Sequence, residues 1–193
     1  MKTDIILSGV GGQGILSIAT IIGEAATQSG LHLKQAEVHG MSQRGGDVQS
    51  NLRLSDSPIA SDLIAEGAAD LILSLEPMEA LRYLPYLDRE GWIITSSAPF
   101  KNIPNYPDEQ ALKDELSALP HIKLIDVEGI AHEHNMPKCA NVILLGAASR
   151  YLGIISVEQL RESVARIFAS KGTAVVEMNQ KAFDLGYEAA ANQ

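Results

Sequence analysis

Asp4-Ile-Ile-Leu-Ser-Gly-Val-Gly-Gly-Gln-Gly-Ile-Leu-Ser17 passes from three aliphatic residues, through four closely set glycines, into an apolar pattern of helical period. It reads as a short buried strand, a glycine-rich turn and the first turn of a helix. Gly9, Gly11 and Gly14 carry the spacing G-x-G-x-x-G. In that context the first glycine allows a tight turn, the second removes a side chain where a phosphate would sit, and the third lets helix and strand pack closely. The helix N-terminus adds free N–H donors and the positive end of its dipole. The same turn also fits a tight strand–helix connection with no ligand. Gly12 and Gln13 are extra to an ordinary dinucleotide fingerprint.

Outward from this turn, apolar residues at 15, 18, 19, 22, 25 and 26 continue the helix, and Gly30 is placed to end it. Residues 31–38 read as a second strand, completing a strand–helix–strand unit whose crossover should be right-handed. The loop His39-Gly-Met-Ser-Gln-Arg-Gly-Gly46 follows, and 47–54 alternate polar and apolar as a half-exposed strand would. Next come a short helix at 61–66, a strand at 70–75 and a helix at 77–87 with proline at its start. A turn at Glu90-Gly91 leads into a strand at 92–95. Prolines and asparagines at 97–107 suggest an extended surface connection. A helix at 108–119 and a strand at 123–127 precede three helices, at 139–152, 157–168 and 173–191. The expected fold is α/β: a single three-layer Rossmann-like domain spanning 1–193, with a mostly parallel open sheet and a helical C-terminal part.

Composition narrows the function. The chain has 193 residues, enough for a substantial core. Its net charge of −9 argues against nucleic acid or an anionic membrane as the main partner. A single cysteine, Cys139, excludes an intrachain disulfide and any thiolate-rich zinc or iron–sulfur site built from this chain alone. No apolar run is long enough to span a membrane and the N-terminus enters a strand at once, so a cytoplasmic location is expected.

The loop Ser42-Gln-Arg-Gly-Gly46 should lie at the carboxyl edge of the sheet, beside the first glycine turn. There Arg44 would offer an anion a planar fork of donors. The loop fits a solvated turn as well, and its glycines would equally let another subunit approach. Glu37, near the end of the second strand, stands where a nicotinamide or flavin dinucleotide site wants an acid, or is an ordinary strand-end carboxylate. His132-Glu-His134 lacks zincin spacing and a third ligand, and reads as a surface pair. Cys139 reads as a small buried apolar residue rather than a nucleophile. No complete catalytic constellation and no metal ligand set is visible.

Three segments carry a family resemblance: Gly9-Val-Gly-Gly-Gln-Gly14, Glu37-Val-His-Gly-Met-Ser-Gln-Arg-Gly-Gly46 and Asn141-Val-Ile-Leu-Leu-Gly-Ala147. Through them the chain resembles the gamma-type domain of 2-oxoacid:ferredoxin oxidoreductases, and within that family the indolepyruvate type. The resemblance covers nearly the whole chain, and the middle segment is the specific one. It implies oxidative decarboxylation of an aryl 2-oxoacid such as indolepyruvate to an acyl-CoA, with reduction of ferredoxin. Thiamine diphosphate, Mg and iron–sulfur clusters would belong to a larger partner subunit, since this chain has neither the cysteines nor a Gly-Asp-Gly segment followed by paired asparagines. The candidate residues for shaping a CoA or substrate site are Gly9, Gly11, Gly12, Gln13 and Gly14 in the first loop, and Ser42, Gln43, Arg44, Gly45 and Gly46 in the second. Asn141 and Gly146 match the late helix, where Gly146 also fits close helix packing. A stand-alone NAD- or FAD-binding oxidoreductase and an interaction module without a ligand are the rival readings.

Overall fold

The computed structural model describes residues 1–39, 46–101 and 103–192. The aliphatic run at its start forms β1 (Lys2–Val10), which is buried from Thr3 onward. Helix α1 (Ile15–Gln28) follows, and its apolar face buries Ile15, Ile18, Ala19, Ile21, Ile22, Ala25 and Ala26. Each buried isoleucine contributes about 1.5–3 kcal/mol relative to exposure. Gly30 closes the helix in a Schellman motif: Leu31 N–H donates to the Ala26 carbonyl and Gly30 N–H to that of Thr27.

Strands β2 (His32–His39) and β3 (Asp47–Ser55) pair antiparallel, and β3 pairs antiparallel with β1. Beyond β1 lie β4 (Ala69–Ser74), β5 (Leu87–Ser96) and β6 (Ile122–Ile125), each parallel to its neighbour. Among the described residues these strands form one open sheet in the order β2-β3-β1-β4-β5-β6. Only β3 runs against the others, so the sheet is mostly parallel as expected. The hairpin nevertheless inserts β3 between the two parallel strands that α1 connects.

Alternation along each strand divides the core between the two faces. Ile5, Leu7, Leu71, Leu73 and Ile94 pack with α1 and with the later helices α4 (Val127–Glu133), α5 (Ala140–Ala148), α6 (Val157–Phe168) and α7 (Thr173–Ala191). Ile6, Ile72 and Ile93 face the other way, toward α2 (Pro77–Arg82) and α3 (Glu109–Ser117), whose Ala80, Leu112 and Leu116 cover them. The three layers follow directly. Among the described residues no helix is long and apolar enough to cross a membrane.

Several local expectations need correction. Residues 61–66 form no helix, because tertiary bonds claim their backbone. Arg53 donates to the carbonyls of Ser61 and Leu63, and Asn51 Oδ1 accepts from Ile64 N–H. Arg53 is itself fixed by a fork of bonds to Asp4, a carboxylate 1% exposed. Burial acts to raise the Asp4 pKa, but the Arg53 and Lys2 partners outweigh it and hold the carboxyl below its usual range. Second, β3 is largely buried rather than half-exposed: Val48, Leu52 and Leu54 join the core on the α1 side, and the backbone of residues 61–64 lies against Asn51 and Arg53 on the opposite face. Third, the turn at Glu90-Gly91 is an irregularity inside β5, which advances from Leu87 to Trp92 while β4 advances from Ala69 to Leu71. The Asp88 carboxylate accepts from Glu90 N–H and stabilises it. Fourth, the 77–87 helix stops at Arg82, and Val127 opens α4 instead of closing a strand, capped by Asp126.

Candidate functional site at the carboxyl edge of the sheet

α1 leaves β1 toward β3 and β2, whereas α2 leaves β4 toward β5. The carboxyl ends of β1 and β4 therefore flank the topological switch point, where open α/β sheets bind ligands. The glycine turn stands there. Gly9 is still in β1, paired with Val48, and the chain turns at 11–13. Gly11 N–H donates to the Gly46 carbonyl at 2.8 Å, which ties the end of the second loop to the first. Ser42, Gln43, Arg44 and Gly45 lie outside the described residues, so the expected juxtaposition is seen at Gly46 alone.

Gln13 explains why an amide follows the glycines. Its Oε1 accepts from Val10 N–H at 2.7 Å and its Nε2 donates to the Leu75 carbonyl at 3.1 Å. One side chain thus braces the ends of β1 and β4 across the switch point. Gly14 is the α1 N-cap, at φ 91°, and supplies no side-chain cap. A Cβ on it would lie 2.6 Å from Asn141 Nδ2, which donates to the Gly14 carbonyl. The third glycine of the spacing therefore admits an α5 side chain, not a close helix–strand contact. Gly12 differs: its φ is 102° and a Cβ there would meet nothing within 4 Å.

The space beside Gly12 is a cavity of about 560 Å³ that takes in Gly11–Gly14, Ser17, Leu75, Phe100, Glu128, Lys138 and Asn141. Two helix N-termini without a preceding side-chain cap, those of α1 and α5, reach its wall, and Asn141 Oδ1 accepts from Val142 N–H in the first turn of α5. Together with Lys138 they make the floor favourable to an anion. Glu128, on the same lining, supplies the opposite sign. Desolvation, then the neighbouring charge of Asp126, raise its carboxyl above the ordinary range.

Other candidates fall away from this cavity. Glu37 is on β2, with β3 intervening before β1, so roughly two strand spacings of about 4.8 Å separate it from the turn. A ribose-binding acid needs to be next to the turn. His132 is in the last turn of α4 and His134 is its C-cap. Among the described residues no three His, Cys, Asp or Glu side chains group as metal ligands. Cys139 is buried, and burial pushes its thiol pKa up, away from the reactive thiolate. Gly146 meets α7: a Cβ on it would be 2.0 Å from the Phe183 carbonyl oxygen.

Sequence reasoning missed Lys138, Glu128 and Phe100 as cavity residues, and none carried a signal. Asn141 had one, as a polar residue inside an otherwise apolar helical run.

A family model described as pyruvate ferredoxin/flavodoxin oxidoreductase matches residues 4–189. The chain belongs to that family. Indolepyruvate oxidoreductase subunit IorB of Pyrococcus horikoshii is 37% identical, the match covering 97% of this chain and 95% of the relative. Among solved structures, the gamma subunit of keto/oxoacid ferredoxin oxidoreductase from Geobacter sulfurreducens superposes with TM-score 0.70 at 25% identity, over 99% of both chains. A 2-oxoglutarate:ferredoxin oxidoreductase from Magnetococcus marinus shares the fold at TM-score 0.78 and 22% identity. That match covers all of this chain but 31% of the longer one. The same fold is thus nearly the whole of one of these chains and a part of the other.

Proposed function

We propose that this chain is the non-thiamine subunit of an indolepyruvate-type 2-oxoacid:ferredoxin oxidoreductase, acting as one domain in the cytoplasm. The reaction is oxidative decarboxylation of an aryl 2-oxoacid to its acyl-CoA. The partner is a larger subunit holding thiamine diphosphate, Mg and iron–sulfur clusters, which supply carbanion stabilisation and single-electron transfer to ferredoxin. In this reading Gly9, Gly11, Gly12, Gln13 and Gly14, with Ser42, Gln43, Arg44, Gly45 and Gly46, shape the CoA or substrate side of a site shared between the subunits. The carrying observation is end-to-end likeness to an indolepyruvate oxidoreductase subunit, in a chain whose single cysteine is buried. The position of Glu37 speaks against a stand-alone dinucleotide enzyme.

What the chain's own residues contribute is placement. Gln13 fixes the two strand ends, Asn141 holds the turn against α5, and Gly12 leaves room beside the α1 N-terminus, which has no side-chain cap. An anionic group resting there is neutralised by backbone dipoles and Lys138 rather than by a dense basic patch, which suits an acidic protein.

Affinity purification of the chain from its native cell under anaerobic conditions is the direct test. The expected product is a brown complex in which a larger iron–sulfur and thiamine protein is present in equal amount. A colourless, solitary chain overturns the reading.

A further inference from the structure

Glu76 follows β4 and caps α2, where its Oε2 accepts from Glu79 N–H at 2.8 Å. A cap needs a single bond, and shorter residues usually supply it. Here the side chain is 0% exposed and its other oxygen is used as well. Oε1 accepts from Phe100 N–H at 3.3 Å and from the Tyr106 hydroxyl. A buried carboxylate is costly without such donors, and two of these three come from the connection between β5 and α3. Burial, then the Glu76 carboxylate, push the Tyr106 phenol far above its ordinary range, so it remains a donor.

This arrangement has a visible result. Phe100 remains 45% exposed although it is a large apolar residue, and it lines the same cavity as Gly12 and Lys138. We propose that Glu76 is a positioning residue for this cavity: its carboxylate sets Phe100 as an apolar wall beside the anion-favouring floor. The site then accepts a molecule that joins an anionic group to an apolar arm. CoA and an aryl 2-oxoacid share that chemistry. This inference rests on the reading of the cavity as part of the shared site.

The test uses the assembled complex, with KM measured separately for CoA and for indolepyruvate. Phe100→Ala raises one of the two by about five-fold, the scale of one aromatic contact, and leaves kcat within about two-fold. The KM that moves identifies the occupant. Tyr106 does not line the cavity, so Tyr106→Phe acts through Glu76 alone and raises the same KM by about three-fold. In the Phe100→Ala background Tyr106→Phe adds nothing further. Faster amide exchange at Phe100 in Tyr106→Phe shows that the tether has loosened, and it avoids Glu76→Ala, which strands three donors and risks unfolding.

Equal effects of Tyr106→Phe in both backgrounds, or no change in either KM with Phe100→Ala, overturn the inference. Lys138→Ala separates the two levels. A KM raised by Lys138→Ala but untouched by Phe100→Ala leaves the cavity reading standing and removes only the wall. If Lys138→Ala, Gly12→Ala and Phe100→Ala all leave both constants unchanged, the cavity reading falls as well.

Discussion

Glycines serve opposite purposes at the two ends of α5. At its far side Gly146 packs on the Phe183 backbone of α7, and a Cβ on Gly186 of that helix would stand 1.8 Å from the Ile143 carbonyl oxygen. Backbone meets backbone there, and hydrogen takes the place of a side chain because nothing larger fits. At its near side α5 meets the turn that contains Gly12, where a Cβ would meet nothing. One region uses glycine to exclude space and the other to preserve it. A shared sequence motif thus combines positions that hold the molecule together with positions that leave it open. Burial separates the two kinds where residue identity cannot.

Substitution by alanine should reproduce this order. Gly186→Ala forces two helices apart and should cost about 3 kcal/mol, lowering Tm by about 10 °C in a thermal melt of the purified chain. Gly14→Ala combines a left-handed backbone with the Asn141 contact, and about 2 kcal/mol is expected. Gly12→Ala bears only the backbone strain, about 1 kcal/mol, read as a Tm shift of roughly 3 °C. Its main effect should instead appear in the complex, as a higher KM for CoA or the oxoacid. A Gly12→Ala chain as unstable as Gly186→Ala would erase the contrast.

How far the sequence could be read follows the same division. The β1–turn–α1 unit was legible because its signals are local: aliphatic run, glycines, helical period, Gly30 at the end. The long C-terminal helices were legible for the same reason. Residues 61–66 were misread because Arg53 and Asn51, several residues earlier in the chain, take their backbone groups. Local propensity carries no record of such partners. The insertion of β3 between β1 and β2 was equally hidden, since a polar–apolar alternation does not say which edge a strand will join. At the site, the Glu76 contacts were unreadable: Glu-Pro before a helix looks like any helix start, and its partners Phe100 and Tyr106 lie in a segment without periodicity.

The inserted strand also sets which loop closures the chain must make. β2 and β3 are joined by a short connection, so their pairing closes a small loop at low entropic cost. β1, first in the chain, gains its neighbours only when residues 47–55 and 69–74 have arrived from far along the sequence. The glycine turn that ends β1 draws on longer closures still, since Gln13 bonds to Leu75 and Gly14 to Asn141, and contacts so distant in sequence carry the larger entropic cost. The site is thus tied to the length of the chain, not to the short motif that marks it.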